Sequence, residues 1–311
     1  LLLILKKTIY ILIIVALNLY VCTYLVSKLS SRMELRRGYR MTRVGGIGFP
    51  AIRFLSYLGK KANMNIWIFL LFIFSLLIWT VAPFNSNLVL VDMDWSLMAA
   101  ILFIIIIIVL NLAGQLSTRY KLIMGTASRK MIMVLSLTIP VFLSIISLLF
   151  VNKSFGFKEI VSLQHVYWNI VYQPLGFIIC LTSIILVIKI LRFNKSGAIG
   201  AAGFGEYEGN GISRLIMKFS EYTIVIFLIY MTVILYLGGF KNLFFIRGEI
   251  MLGIKFYAVL IFSLFAGKAL GNIEDYRLLF RINFKFLIPL ALINFAVTLG
   301  FFIARNIYGL V

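Results

Sequence analysis

Acidic residues, histidine and cysteine are all scarce in this chain of 311 residues. It contains ten Asp and Glu together, one His and two Cys. A single histidine excludes haem cytochromes of the bis-histidine type and copper–haem oxidases, because both need several histidine ligands. The two cysteines, Cys22 and Cys180, lie inside apolar segments. We therefore predict buried thiols rather than a disulfide framework or a metal site.

A nucleotide-binding fingerprint is also missing. The nearest candidate is the glycine-rich stretch SGAIGAAGFGEYEGNG at 196–211. Its spacing fits neither GxGxxG nor GxxxxGK[ST], and no βαβ unit surrounds it, so it is interpreted as a loop. Because the chain also lacks a set of four cysteines, we do not expect it to bind a dinucleotide, a flavin or an iron–sulfur cluster by itself.

Hydrophobic residues make up 62% of the chain and charged residues only 13%. Such a sequence cannot cover a water-facing surface, and its apolar segments are continuous rather than alternating, which favours membrane-spanning helices over barrel strands. We predict an all-α polytopic membrane protein with a single membrane domain over 1–311. Its eight predicted spans lie near 1–27, 66–82, 95–115, 131–151, 174–191, 212–238, 250–267 and 286–304.

The basic residues, which give a net charge of +20, are unevenly distributed between the predicted loops. With eight spans, the loops on one side carry 22 Lys and Arg and the other side carries seven. The positive-inside rule places the basic loops in the matrix or cytoplasm and both termini on the opposite side. These charges favour anionic lipids such as cardiolipin and acidic neighbouring subunits as partners, and no nucleic acid. The chain shows no cleavable signal peptide or import presequence, which fits synthesis inside an organelle.

One segment in the longest basic loop is apolar at helical spacing but too polar to span. It covers 45–59, with Phe49, Phe54 and Leu58 among its apolar residues and Arg53 among its polar ones. This pattern predicts an amphipathic helix at the membrane interface.

Glu221 stands out because it lies at the start of the sixth predicted span. Arg214, Lys218 and Glu221 are spaced by four and three residues and so share one helix face. One interpretation is a Lys218–Glu221 ion pair that stabilises the start of the helix. The other is an ionisable group that begins a proton path or borders a ligand cavity, as intramembrane carboxylates commonly do. Both remain open from the sequence.

Three further charged segments have structural and functional interpretations. Glu206 and Glu208 either repel each other in a folded loop or form a solvated acidic loop. RMELRRGYRMTR at 32–43 carries five arginines and is typical of an orientation anchor that binds anionic lipid. NIEDYRLLFRINFKF at 272–286 places Asp275 near Arg277 and Arg281, as in a salt-bridged turn before the last span.

Four stretches together resemble a known family. They are MELRRGYRMTRVGGIG at 33–48, RYKLIMGTASR at 119–129, FGEYEG at 204–209 followed by SEYTIVIFLIYMTVILYLGGF, and DYRLLFRINFKFLIPLALINF at 275–295. Their order and spacing resemble subunit 1 of respiratory complex I, the mitochondrially encoded membrane subunit of NADH:ubiquinone oxidoreductase. The likeness covers nearly the whole chain.

The resemblance implies a proton-pumping complex in the mitochondrial inner membrane, with both termini toward the intermembrane space. It implies that this subunit carries no redox centre. Ubiquinone is then the substrate, and NADH, FMN and the iron–sulfur clusters are bound by partner subunits of the peripheral arm. By the same resemblance, the candidate residues of the quinone chamber are Arg36, Arg43, Phe49, Phe54 and Leu58. The proton-coupling candidates are Glu206, Glu208 and Glu221, and the charged turn comprises Asp275, Arg277 and Arg281.

The chain departs from the family in three places, one of which is the interfacial helix, where the family's usual Asp and Lys are absent. The acidic stretch that the family has between its fifth and sixth helices is replaced by RFNKSGAIGAAG, which has no carboxylate, and a glutamate expected in the fourth helix falls at Thr138. Two alternatives stay open. One is the homologous ion-translocating subunit of a membrane-bound hydrogenase. The other is a secondary transporter, although the inverted repeats typical of transporters are not seen.

Overall fold

The computed structural model describes residues 2–33, 46–59, 64–85, 88–117, 121–164, 167–191, 211–241, 247–270 and 276–308. These residues form α-helices joined by short connections, with one π-helical turn and no strand among them. The all-α polytopic membrane class predicted from the composition is confirmed.

The helices are numbered in chain order. They are α1 (Leu2–Met33), α2 (Phe49–Leu58), α3 (Ile66–Val81), α4 (Ser96–Leu116), α5 (Lys121–Asn152), α6 (Phe157–Leu163), α7 (Asn169–Tyr172), α8 (Pro174–Leu191), α9 (Ile212–Tyr236), α10 (Gly248–Ala269), α11 (Tyr276–Ile282) and α12 (Ile288–Tyr308), with the π-helical turn Asn283–Leu287 joining the last two.

Seven helical segments among the described residues are long and apolar enough to cross a bilayer. They lie in α1, α4, α5, α8, α9, α10 and the continuous unit from α11 to α12. The remaining predicted span corresponds to α3, which has 16 residues. At 1.5 Å per residue it is about 24 Å long, less than the roughly 30 Å of a hydrocarbon core. The chain is thus a multi-pass membrane protein, and the count of eight spans stays a prediction.

Two short helices occupy the segment between α5 and α8, which is predicted from the sequence to be a loop. α6 buries Phe157, Ile160 and Val161, and it packs with α7 against α9. Helices of seven and four residues are too short to show a helical period. Only contact with the bundle identifies them.

α9 is the innermost of the candidate spans. In its most apolar 18-residue stretch 89% of residues are buried, against 22% in α1 and 17% in the last span. Every residue from Ile224 to Tyr236 is buried, as expected for a helix that is apolar all round. A Cβ atom on Gly176 of α8 would lie 2.6 Å from the Tyr236 hydroxyl. Glycine at this position therefore allows α8 to approach α9 closely.

α5 and the last span lie side by side and are joined by asparagine–serine hydrogen bonds at two levels. Asn283 Nδ2 donates to the Ser136 carbonyl at 2.9 Å, and Asn294 Nδ2 donates to Ser147 Oγ at 3.0 Å. The first bond compensates for Pro140, which lies inside α5 and has no N–H to offer the carbonyl four residues earlier. A neighbouring helix thus satisfies the backbone group that proline leaves unpaired inside the membrane.

The C-terminal end of α9 is held by side-chain donors from α10 and the α6–α7 segment. They donate to main-chain carbonyls as follows: Gln164 Nε2 to Ile234 (3.0 Å), Asn169 Nδ2 to Leu235 (2.7 Å), and Lys255 Nζ to Leu237 (2.6 Å) and Gly239 (3.3 Å). Lys255 is only 6% exposed, and its ammonium lies 4.7 Å from the centre of the Trp168 ring. The partial negative charge of a helix C-terminus favours a cation at this place.

Candidate functional site

Glu221 lies in the third turn of α9, inside a candidate span, and is 4% exposed. The helix begins after Gly211, whose φ of 67° is in the left-handed region that glycine tolerates. From there the apolar period of α9 turns Glu221 toward the bundle interior. A carboxylate at this position needs charged or hydrogen-bonding partners to remain ionised.

Two lysines bind the two oxygens of this carboxylate. Lys130 Nζ of α5 lies 2.5 Å from Glu221 Oε1, and both side chains are 5% exposed. Lys218 Nζ lies 3.3 Å from Glu221 Oε2, and its side chain is 28% exposed. The Lys218–Glu221 pair considered from the sequence is therefore present. The shorter and more deeply buried bond comes from a different helix.

A chain of uncharged polar groups adjoins this ion pair. Asn111 Nδ2 of α4 donates to Ser220 Oγ at 2.6 Å, and Gln115 Nε2 donates to Asn111 Oδ1. All three residues are buried, with Asn111 and Ser220 fully inaccessible. Since Ser220 precedes Glu221, α4 brings an amide–hydroxyl chain directly beside the charged site.

Lys130, Asn111 and Gln115 are not among the site residues predicted from the sequence. Lys130 follows Arg129 and precedes the apolar run that begins at Met131, so its position is that of a loop charge. One signal was available. Lys130 immediately precedes one long apolar run and Glu221 immediately precedes another, so the two opposite charges occupy comparable places in the sequence. The amides carried no signal, because a single Asn or Gln in an apolar helix does not reveal which neighbour it faces.

α2 adjoins the start of α9 and also contacts α1. Phe54 and Leu58 are 50% and 45% exposed, so the apolar face of α2 is open to the surroundings. The Arg214 guanidinium of α9 lies 6.0 Å from the centre of the Tyr57 ring. At the other end of α2, the Tyr20 hydroxyl of α1 donates to the Ile47 carbonyl. These contacts fix α2 against the same end of α9 that carries Glu221.

The remaining predicted site residues fall into three groups. Arg277 and Arg281 are exposed on α11. Phe49 begins α2, and its side chain lies outside the described part of the structure. Five predicted residues lie outside the described ranges altogether: Arg36, Arg43, Glu206, Glu208 and Asp275. Their proximity to Glu221 stays a prediction.

A metal site would need several ligating side chains close together. Within the described ranges, His, Cys, Asp and Glu side chains form no group of three or more that could hold a metal ion. The Glu221 carboxylate and the amines of Lys130 and Lys218 are groups that can hold and exchange protons, and ionisable groups inside membranes occur in proton relays among other sites.

Comparison with known proteins gives a family match over most of the chain. The profile of the family described as NADH dehydrogenase matches residues 6–299. An H-type subunit of NADH-quinone oxidoreductase from Rhizobium meliloti (strain 1021) is 25% identical over 210 residues, which cover 65% of this chain and 63% of the relative. The corresponding protein of Carboxydothermus hydrogenoformans is 27% identical over 260 residues (79% and 73%). That of Bacillus cytotoxicus is 27% identical over 224 residues (70% and 66%). The match thus spans slightly less than two thirds of the Rhizobium and Bacillus relatives.

Proposed function

Since the chain belongs to the NADH dehydrogenase family, we propose that it is a membrane-arm subunit of a proton-pumping NADH:ubiquinone oxidoreductase. It forms part of the quinone chamber and of the proton-coupling path where the membrane arm meets the peripheral arm. The observation that carries this proposal is Glu221, a carboxylate buried between two lysines inside a candidate span. Ionisable groups in such positions commonly mark proton or ligand pathways.

The quinone approach is assigned to the place where α2 meets α1 and the start of α9. A quinone has an isoprenoid tail and a polar head, so its tunnel needs an apolar mouth at the bilayer and a polar inner end. Phe54 and Leu58 supply the mouth, together with Phe49, because an amphipathic helix at the interface presents its apolar face to lipid. Arg36 and Arg43 line the inner end, by resemblance to the family.

The coupling path begins in the segment before α9. Glu206 and Glu208 close the quinone chamber there, and Glu221 receives the proton-linked charge from them. This order is supported by the sequence, because Glu206 and Glu208 lie in the segment just before α9. Glu221 follows in α9, where Lys130 and Lys218 bind it.

The redox cofactors are assigned to partner subunits. NADH, FMN and the iron–sulfur clusters bind in the peripheral arm, and ubiquinone is the substrate that meets this chain. Other membrane-arm and peripheral-arm subunits of complex I contact it, the latter through the basic side and the turn of Asp275, Arg277 and Arg281. Basic loops also attract anionic lipids such as cardiolipin. No nucleic acid is expected to bind.

The proposed setting is the mitochondrial inner membrane, although the three relatives above are bacterial. α3 serves as the eighth crossing, because a short apolar helix is accommodated by local thinning of the bilayer. Both termini then face the intermembrane space. Single cysteines placed at Arg40 and Val311 should be labelled from opposite sides of the membrane, and labelling from the same side contradicts this topology.

Co-purification tests membership of the complex. The affinity-tagged full-length chain, isolated in mild detergent from its native membrane, should bring down a large assembly that contains flavin and iron–sulfur absorbance and reduces quinone with NADH. An assembly with hydrogenase activity and no quinone reduction supports the hydrogenase alternative. Purification of the chain alone in transport-competent form supports the transporter. The family match favours the first outcome.

A photoreactive quinone analogue tests the chamber. In the assembled complex, cross-links are expected on peptides that contain α2 or the start of α9, and excess unlabelled quinone should suppress them. Labelling confined to the opposite end of α9, near α6 and α7, contradicts the proposed route of the quinone.

Glu221→Gln tests the coupling role, because it preserves size and hydrogen bonding but removes the charge. Turnover or proton-pumping stoichiometry per assembled complex should fall, with turnover lowered about tenfold, the equivalent of about 1.4 kcal/mol. Glu159→Gln is the matched control, since Glu159 is exposed on α6. Reduced assembly with unchanged turnover per complex indicates instead that the ion pair only stabilises the helix.

A further inference from the structure

The lysine that binds Glu221 most closely comes from another helix and has no counterpart among the predicted site residues. We propose that Lys130 is a positioning residue that holds the Glu221 carboxylate ionised and fixed in place for proton transfer. This inference rests on the coupling role proposed for Glu221. It assigns to Lys130, and not to Lys218, the charge that sets the state of the carboxylate.

The two lysines differ in distance and in access to water. Lys130 Nζ lies 2.5 Å from the carboxylate and its side chain is 5% exposed, whereas the values for Lys218 are 3.3 Å and 28%. Coulomb attraction grows as the separation and the local dielectric constant fall. Water screens the Lys218 contact, while the Lys130 contact lies in the protein interior. Lys130 therefore dominates the electrostatic environment of Glu221.

The two lysines also differ in what they hold together. Lys218 is three residues before Glu221 on the same helix, so it moves with the carboxylate. Lys130 is on α5, 91 residues away in sequence. Its bond ties the carboxylate to a second membrane helix and fixes the direction in which Oε1 points. A change in the Lys130–Glu221 bond therefore alters the contact between α5 and α9 as well as the charge.

Two of the helices that pack on α9 bring no charge to it. α3 and α4 contain no ionisable side chain along Ile66–Val81 and Ser96–Leu116. α4 contributes only the amides of Asn111 and Gln115 near the start of α9. These two helices therefore offer no rival to Lys130.

Several other helices that pack on α9 do carry charges, including the basic residues of α1, which ends near Arg32, and of α2. α8 and α10 each have a lysine in their last turn, Lys189 and Lys268. Two carboxylates on helices that pack on α9 lie near its C-terminal end, away from Glu221. Glu249 is in the first turn of α10 and accepts a hydrogen bond from Asn85, and Glu159 is on α6. At the start of α9, Glu221 is thus the acidic member of its described surroundings and the group that accepts or releases the proton.

The test compares substitutions of Lys130 in the full complex. Lys130→Met removes the ammonium but keeps an unbranched side chain, and Lys130→Arg keeps a positive charge that cannot be lost at ordinary pH. The double variant Lys130→Met/Glu221→Gln removes both charges, so a buried charge is not left unpaired and the fold is protected. Lys6→Met is the matched control, because Lys6 is exposed near the start of α1.

Two measurements are made on assembled complex at neutral pH. Turnover per complex should fall about tenfold in Lys130→Met and recover to within about threefold of the original in Lys130→Arg, since the charge is the property required. The infrared difference spectrum between Lys130→Met and the double variant should contain the C=O band of a protonated carboxylic acid, assigned to Glu221. The corresponding difference between the unaltered chain and Glu221→Gln should lack it.

Several outcomes overturn the assignment to Lys130. Unchanged turnover in Lys130→Met does so, as does a Lys130→Arg variant as impaired as Lys130→Met, or the absence of the carboxylic acid band. These results are distinguishable from failure of the proposed coupling role, which is tested by Glu221→Gln alone. If Glu221→Gln lowers turnover while Lys130→Met does not, Glu221 keeps its role and Lys130 loses the one assigned to it.

Discussion

At its start, α9 holds a buried carboxylate, Glu221, against the ammonium groups of Lys130 and Lys218. At its end, the same helix receives the buried ammonium of Lys255 on the main-chain carbonyls of Leu237 and Gly239. Both ends therefore hold a buried charged group, Glu221 at the start and Lys255 at the end. They differ in what compensates it: ionisable side chains at the start, and fixed backbone dipoles at the end.

This difference predicts a reaction-related role for the start of α9 and a purely structural role for its end. An ion pair has two partners that can change protonation, so its charge can vary during a reaction. Backbone carbonyls do not titrate, and a lysine that donates to them, with an aromatic ring alongside, caps the end of the helix. We therefore expect substitutions at the start of α9 to alter turnover, and those at its end to alter the amount of folded protein.

The largest effect is expected at the end of α9. Lys255→Met leaves the buried Gly239 carbonyl and the half-buried Leu237 carbonyl without their donor, which should lower the free energy of unfolding by about 2 kcal/mol. The amount of assembled complex on native gels should fall several-fold, with turnover per complex unchanged. Lys6→Met, at an exposed lysine, is the control. A loss of turnover per complex in Lys255→Met would remove the distinction between the two ends.

A smaller effect is expected from the outer partner of Glu221. Lys218→Gln removes a partly exposed charge 3.3 Å from the carboxylate. Since such pairs contribute no more than about 1 kcal/mol, turnover per complex should fall by about two- to fivefold. The loss should shrink as salt concentration rises, because screening already weakens this contact in the unaltered protein. A loss as great as that of Lys130→Met, independent of salt, would show that the two lysines are equivalent.

The smallest effect concerns the packing of α2 on the start of α9. Tyr57→Leu removes the aromatic ring that faces the Arg214 guanidinium. A cation–π contact at a partly exposed site is worth about 0.5–1 kcal/mol, so the KM for quinone should rise about twofold while kcat stays near its original value. Tyr57→Phe retains the ring and serves as the control. A fall in kcat with no change in KM would place Tyr57 in the coupling path instead of the quinone approach.

Much of the architecture was accessible from hydrophobicity alone. A long continuous apolar run has only one way to satisfy its backbone in lipid, so each run predicts a helix. α8 lies at Pro174–Leu191, within the limits that its apolar segment defines. The family resemblance, drawn from ordered motifs, is confirmed by the match over 6–299. Helix limits were less accessible, because a helix can continue beyond the apolar run that crosses the membrane: α5 begins at Lys121, ten residues before its predicted span.

Within the candidate site, Glu221 and its Lys218 neighbour could be paired from the sequence because three residues on a helix fix their relative position. The partnership with Lys130 could not. The Lys130–Glu221 contact depends on the rotation of α5 about its own axis relative to α9. Apolar helices in lipid carry no sequence pattern that distinguishes one buried face from another. The same limit applies to Asn283, whose bond to the Ser136 carbonyl offsets Pro140. The residues themselves thus determined which groups can carry charge and which segments are apolar enough to form membrane helices, whereas helix packing decided which distant groups meet. Only packing brings groups 91 or 147 residues apart into hydrogen-bonding distance.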